Sequence, residues 1–250
     1  MTRRSREVGI IKACVLGAAL AVGMALPAQA QDKKLELSAT ASFTTDYIFR
    51  GISNSDENPA VQPSFNAAYG MFYAGIWGSN TDFGDGIEID YYAGIAPTWK
   101  NFTFDIGGLY YTFPGFSSID YFELKTGLKW ASGNWALAVN NYWSPDYSGL
   151  DFDSNATEGT VSYAFNGKLF NFFSPSVSAL LGYQSFEAIN PDYTYWNAGL
   201  TLGFMEKWSV DVRYWDTDYS DAECGFYLET LSGVSSGCDA RVVGTLSATF

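Results

Sequence analysis

The chemistry available to this chain is confined to carboxylates, a few cations and one pair of cysteines. Histidine does not occur among its 250 residues. Membrane-barrel phospholipases, proteases and acyl-modifying enzymes generally use histidine as general base, so that class is disfavoured. Paired charges remain. Glu88 and Asp90 stand two residues apart, as do Asp211 and Arg213, which puts each pair on one face of an extended strand. Such pairs arise readily on polar strand faces, so no catalytic residue is assigned and the chain is read as a non-enzyme. There is no phosphate-cradling glycine loop and no cofactor motif, so no cofactor is expected. Asp82, Asp85, Asp216, Asp218, Asp221 and Glu223 could gather Ca²⁺ or Mg²⁺ loosely, but loop acids are more often simply solvated, and no metal site is assigned. Cys224 and Cys238 lie in one segment. In an oxidising compartment they are expected to form a disulfide that closes a loop of about 14 residues, which stabilises by about 3 kcal/mol in the chain-entropy model.

That compartment follows from the N-terminus. Arg3, Arg4, Arg6 and Lys12 precede an apolar run from Ala13 to Leu26, then Pro27 and Ala28-Gln29-Ala30. This is the order of an export signal with an A-x-A cleavage site, so residues 1–30 are read as a cleaved leader and 31–250 as the functional domain. The run is shorter than the ~20 residues of a membrane helix, and no longer apolar run follows. Losing the leader removes four basic residues and one acid, leaving ten basic and 26 acidic residues and a net charge of −16. So acidic a chain is unsuited to nucleic acid, which needs clustered Lys and Arg. Its charge is either a solvated exterior or a cation attractor at a pore mouth.

Twelve segments alternate with the period of a strand. They are Leu35–Phe49, Ala60–Tyr69, Phe72–Asn80, Ile87–Ala96, Phe102–Phe113, Tyr121–Trp130, Trp135–Trp143, Thr157–Phe165, Ser176–Phe186, Thr194–Phe204, Trp208–Thr217 and Ala240–Phe250. In the last, Val242, Gly244, Leu246, Ala248 and Phe250 oppose Arg241, Val243, Thr245, Ser247 and Thr249. Pro59 and Pro63 weaken the second segment. Every second connection is short (Gly70; 97–101; 132–133; 166–171; 205–207), and the others are mostly longer and acidic. Short periplasmic turns, long outer loops and an even strand number predict an all-β fold: a transmembrane antiparallel up-and-down β-barrel of about twelve strands. Trp99, Trp130, Trp135 and Trp208 fall beside the short turns, and Trp143, Trp196 and Trp215 near the long loops, as interfacial girdles would. A soluble β-sandwich with a tryptophan core is the competing reading. It is disfavoured by the terminal aromatic and the turn asymmetry.

One stretch is more specific. Thr45-Asp46-Tyr47-Ile48-Phe49-Arg50-Gly51-Ile52-Ser53 is followed by Asn58-Pro59-Ala60-Val61-Gln62 and by Gly75-Ile76-Trp77-Gly78-Ser79-Asn80. In this the chain resembles the TorF-type porin family, conserved proteobacterial outer-membrane proteins of unknown function. Ser53-Asn54-Ser55 stands where that family often has Ser-Gln-Thr, and Pro63 stands where Gly often follows the Gln. The resemblance implies a barrel in the outer membrane of a Gram-negative cell. Its partners would be outer-membrane lipid, small solutes and an assembly machinery that reads Phe250. On the residues alone, Arg50 ends the first strand on its polar face, within reach of Asp46 four residues before it. It acts either as a latch bonded to loop carbonyls and lumen carboxylates or as a cation at a constriction. With Asp46 and Arg50, the polar-face charges Glu36, Glu88, Asp90, Glu123, Lys125, Lys129, Asp211 and Arg213 are expected to line the lumen. The function read from all this is passive diffusion of small hydrophilic solutes or ions past a charged wall. A closed-lumen structural or surface-binding barrel, acting through acidic outer loops, is the alternative.

Overall fold

The computed structural model describes residues 34–187, 191–220, 222–225 and 237–250; the leader assigned to residues 1–30 lies outside them. The strands are β1 (Leu35–Thr44), β2 (Ile48–Phe49), β3 (Ile52–Ser53), β4 (Ala60–Tyr69), β5 (Phe72–Asn80), β6 (Ile87–Ile95), β7 (Thr98–Trp99), β8 (Phe102–Thr112), β9 (Tyr121–Ser132), β10 (Trp135–Ser144), β11 (Ser154–Ala164), β12 (Ser174–Phe186), β13 (Tyr193–Phe204), β14 (Trp208–Thr217) and β15 (Arg241–Thr249). Twelve of them are staves of one antiparallel ring, each paired with its sequence neighbours. β1 pairs with β15, and β6 pairs with β8, so no edge is left. In hydrocarbon this closure is obligatory, because unpaired N–H and C=O groups there cost several kcal/mol each.

Period two decides which way each residue points. Leu37, Phe43, Phe65, Ile76, Phe104, Ile106, Leu128, Val139, Leu181, Val212, Val242 and Leu246 stand on the outer wall, fully or half exposed. A continuous apolar wall of this extent is not a water-facing surface, and it suits a lipid solvent. The Trp99, Trp135, Trp143 and Trp208 side chains also project outward. Trp215 does not: it is 3% exposed and packs inside with Ile48 and Val243, so it belongs to the interior rather than to a girdle. Its strand parity matches Asp211 and Arg213, both inward, and that parity outranks its nearness to a loop.

The seam between β1 and β15 carries a ladder of hydroxyls on its inner side. Thr40 meets Thr249 at 3.0 Å, Ser42 meets Ser247 at 2.8 Å, and Thr245 donates to Thr44 at 3.0 Å. Phe250 completes the seam, its N–H donating to the Ala39 carbonyl at 2.8 Å and its carbonyl accepting the Ala39 N–H at 3.0 Å. Pro63 lies where the β4–β5 ladder stops. Beyond it the Asn80 side chain takes the missing strand's place, accepting the Val61 N–H at 2.8 Å and donating to the Pro59 carbonyl at 3.2 Å.

The first strand is shorter than the alternation predicts. It stops at Thr44 rather than Phe49. Thr44 donates its hydroxyl to the Asp46 carbonyl at 2.8 Å, and the chain turns inward. Ile48–Phe49 and Ile52–Ser53 then pair as a small hairpin, with Arg50 (φ 48°) and Gly51 (φ 86°) as its two-residue turn. Positive φ at both central positions marks the turn whose twist suits a hairpin. A side chain at Gly51 would meet Thr217 Cγ2 at 2.5 Å and Tyr195 Cβ at 2.7 Å, so the close fit as well as the φ calls for glycine.

Candidate functional site: a hairpin lodged in the barrel bore

The hairpin occupies the bore at the long-loop end. Tyr47, Ile48, Arg50, Ile52, Ser53 and Ser55 are all buried, although every one lies in a connection rather than a stave. Its base is fixed by Asp46. Ser53 and Ser55 donate their hydroxyls to Asp46 Oδ1 at 2.7 and 2.9 Å, and the Arg241 guanidinium pairs with Oδ2 at 2.9 Å. Asp46 therefore pairs with Arg241, not with Arg50 as strand spacing suggests. The inward turn at Thr44 separates the two.

Arg50 reaches the opposite wall. Counted from β1 around the ring, β10 is the sixth stave in either direction. The Arg50 guanidinium lies 5.0 Å above the Tyr142 ring of β10 and 4.7 Å from its own neighbour Phe49. It grips Glu123 of β9 with two parallel bonds of 2.8 Å and donates a third, of 3.0 Å, to Gln184 of β12. Fork-to-fork geometry of this kind is the strong form of an arginine–carboxylate pair. Tyr111 donates to Glu123 Oε2 at 2.9 Å, and the Glu123 side chain is 0% exposed. Around this pair the aromatics close up. Tyr47 meets Trp77 edge-on at 5.4 Å, Tyr111 stacks on Tyr121 at 4.4 Å, and Tyr121 leans on Tyr147 at 4.9 Å.

The described ends of a second connection pack on the hairpin. Cys224 and Cys238 form the expected disulfide, with Cα atoms 6.0 Å apart, and both are buried among the same aromatics. The turn that presents Cys224 is a capping box: the Ser220 N–H donates to Glu223 Oε2 at 2.9 Å, and the Glu223 N–H returns to Ser220 Oγ at 3.4 Å. Those Ser220 bonds hold the exposed Glu223 carboxyl below its ordinary range. From the cysteine-bearing loop the Gly237 carbonyl accepts the Ser53 N–H at 2.9 Å, tying that connection to the hairpin.

Toward the short turns the bore changes character. Ser38, Ser42, Ser64, Asn66, Thr103, Thr160, Ser162 and Ser178 take the inward positions, with small Ala136 and Ala138 between them. Three cations lie on this wall. Lys125 pairs with Asp105 at 2.7 Å, and Tyr73 donates to the same carboxylate at 2.8 Å. Arg213 pairs with Asp211 at 3.0 Å and donates to Asn197 at 2.6 Å and to Ser178 at 2.9 Å. Lys129 makes no ion pair among the described residues, and its half-buried ammonium points into the bore.

Of the charged residues singled out in the sequence, Asp46, Arg50, Glu88, Asp90, Glu123, Lys125, Asp211 and Arg213 are buried and Lys129 is half-buried, and the structure divides them. Arg50 and Glu123 form a latch across the bore. Lys125, Asp211 and Arg213 join a lattice along the wall. Glu88 and Asp90 sit side by side under the hairpin, and Glu36 is exposed at the short-turn mouth. Sequence reasoning passed over Gln184, Tyr142, Glu158 and Asp105. Each had the parity of an inward residue, but only the fold shows which inward residues meet. Outside, a groove of about 500 Å³ lies on the apolar wall between Leu128, Leu137, Val139, Val161 and Leu181, away from the bore.

Two solved structures share this architecture. One is titled "KdgM porin", with a TM-score of 0.58 and 10% identity over 85% of this chain and 99% of that one. The other is "NanC porin structure in rhombohedral crystal form", with a TM-score of 0.53 and 14% identity over 86% of this chain and 99% of that one. At such identities the likeness is one of fold. No curated protein matches the chain in sequence. The family described as "Bacterial protein of unknown function (Gcw_chp)" matches residues 28–250, nearly the whole of it. The chain is therefore a member of the Gcw_chp family of bacterial proteins, built as a closed antiparallel barrel of twelve staves.

Proposed function

We propose that this protein is a porin of the Gram-negative outer membrane whose pore is shut by its own first loop. The TorF-type reading of the N-terminal motif is part of this proposal. The long loops would face outward and the short turns the periplasm. Outer-membrane lipid would cover the apolar wall, and the assembly machinery would read Phe250. The supporting observation is the Arg50 latch: a hairpin crosses the bore and is held to the far wall by three hydrogen bonds rather than by a covalent link. Below it lies a hydroxyl-lined vestibule with Lys129, which makes no ion pair among the described residues. When the hairpin swings aside, small hydrophilic solutes or ions diffuse past the Lys125–Asp105 and Arg213–Asp211 pairs, selected by size and charge.

The second reading, a permanently closed barrel that serves as a structural or surface-binding protein, draws on the packing at the long-loop end. Tyr47, Glu123, Tyr193, Tyr195 and Gln184 are each no more than 2% exposed, as in a solid core. Planar-bilayer conductance separates the two readings. The proposal expects rare discrete openings in the wild type and frequent ones in a variant lacking residues 48–53. Folded barrels of that variant with no conductance would favour the permanently closed form.

A further inference from the structure

Glu88 and Asp90 are adjacent inward positions of β6, directly under the hairpin, and are 2% and 1% exposed. Each is close enough to act on the other and on the Tyr47 hydroxyl, which descends from the hairpin and is itself buried to 1% exposure. Yet, near as they are to one another, Glu88 Oε2, both Asp90 oxygens and the Tyr47 hydroxyl find no partner in good hydrogen-bonding geometry. Nor does a cation reach the carboxylates. Among the described residues, the ion pairs take Arg50 to Glu123, Lys125 to Asp105, Arg213 to Asp211, and Arg241 to Asp46 and Glu57. The buried or half-buried cations inside the barrel are Arg50, Lys125, Lys129, Arg213 and Arg241. The corresponding acids are Asp46, Glu88, Asp90, Asp105, Glu123, Glu158 and Asp211. Among the described residues the interior therefore carries two carboxylates in excess of its cations. Three acids have no ion pair: Glu158, which accepts the Tyr195 hydroxyl at 2.8 Å, and Glu88 and Asp90, which have only each other and Tyr47 nearby.

A buried carboxylate without a partner either takes up a proton or meets a cation. One shared proton would serve two oxygens and leave a negative charge behind. A divalent cation would take up the unpartnered oxygens together and cancel the excess. We infer that Glu88, Asp90 and the Tyr47 hydroxyl form a binding site for a hard divalent cation, Ca²⁺ being the best match. Ca²⁺ accepts irregular sets of oxygen ligands, carboxylates in one- or two-oxygen mode among them, and water can complete the set. Mg²⁺ demands a near-octahedral arrangement that two neighbours on one strand and a single phenol supply poorly. Tyr47 belongs to the hairpin, so an ion here joins the hairpin to the wall of β6, on a different side of the bore from the Arg50 latch. The site does not depend on whether solute passes the barrel.

The test is metal content. Barrels refolded in detergent with millimolar Ca²⁺ and then desalted should carry one calcium each by atomic emission. E88Q/D90N barrels should carry none, and D82N/D85N barrels, altered only in an exposed loop, should keep theirs. Tb³⁺ supplies an independent readout. Its luminescence should be sensitised through Trp77, whose ring touches Tyr47, and chased by Ca²⁺. If E88Q/D90N fails to fold, Tyr47→Phe, which retains both carboxylates, should lower Ca²⁺ affinity about tenfold. Folded wild type without calcium, calcium retained by E88Q/D90N, or unchanged affinity in Tyr47→Phe would each overturn the inference.

Discussion

Arg50→Ala should turn a barrel that is mostly shut into one that opens often. The substitution removes the bidentate grip on Glu123, the bond to Gln184 and the stacking on Tyr142. Glu123 is then left charged in a site with 0% exposure, with the Tyr111 hydroxyl still donating to it. Removing one partner of a buried pair costs roughly 3–5 kcal/mol, most of it from the charge left behind. That cost falls on the shut state alone, because water reaches Glu123 once the hairpin leaves. At about 1.4 kcal/mol per factor of ten, the open-to-shut ratio should rise roughly 100- to 4,000-fold. The lower end is expected, since Tyr111 softens the loss. Single-channel recording gives the ratio directly, with heat-modifiable mobility on gels as the check for folding. Adding Glu123→Gln to Arg50→Ala removes the stranded charge, so the double variant should open less often than the single one. Folded Arg50→Ala barrels with wild-type open probability and a lowered thermal midpoint would refute the gate and leave only a strut.

Other outcomes can be checked alongside. Replacing Cys224 and Cys238 by serine should cost about 3 kcal/mol on the chain-entropy scale, read as a lower thermal midpoint. It should also expose the Gly237 segment to protease, because Gly237, bonded to the hairpin at Ser53, loses the covalent anchor beside it. Lys129→Glu reverses the charge of a bore-facing lysine that makes no ion pair among the described residues, so the reversal potential in a salt gradient should shift toward cations without loss of stability. Gly51→Val forces a Cβ to within 2.5 Å of Thr217 Cγ2 at φ 86°. It should destabilise the inserted hairpin by more than the ~1 kcal/mol typical of a simple glycine replacement, and raise open probability with it. Deleting Phe250 removes two seam hydrogen bonds with Ala39, and should lower the yield of folded barrels in refolding assays.

The staves were legible because their physics is local. A wall with lipid on one side and polar groups on the other imposes period two on every strand, and turn length separates the two ends. The hairpin was not legible, for an instructive reason. Alternation continues through Tyr47, Ile48 and Phe49 after the backbone has left the ring, so the pattern ran past the true end of β1 at Thr44. The signal that could have stopped it is Arg50-Gly51 between two short apolar pairs, but arginine is an unusual first residue for such a turn. Parity puts Glu88, Asp90, Glu123, Lys125, Asp211 and Arg213 on one side of their strands, and all six are buried. It could not pair Arg50 with a residue 73 positions later. It set Arg50 beside Asp46 because strand spacing is the only distance that a sequence displays. Trp215 was misplaced in the same way, by nearness to a loop instead of by the parity it shares with Arg213.

The chain's order has a consequence for assembly. The hairpin comes directly after the first stave, whereas its anchors Glu123 and Gln184 follow 73 and 134 residues later. The seam that shuts the ring joins residues more than 200 positions apart, and the cysteine-bearing connection is made just before the final stave. The content of the cask is thus synthesised before the cask, and the connection that packs on it almost at the end. A change in that content can therefore alter how the wall wraps as well as how the finished vessel empties, and measurements of yield and of current on the same variants will tell these apart.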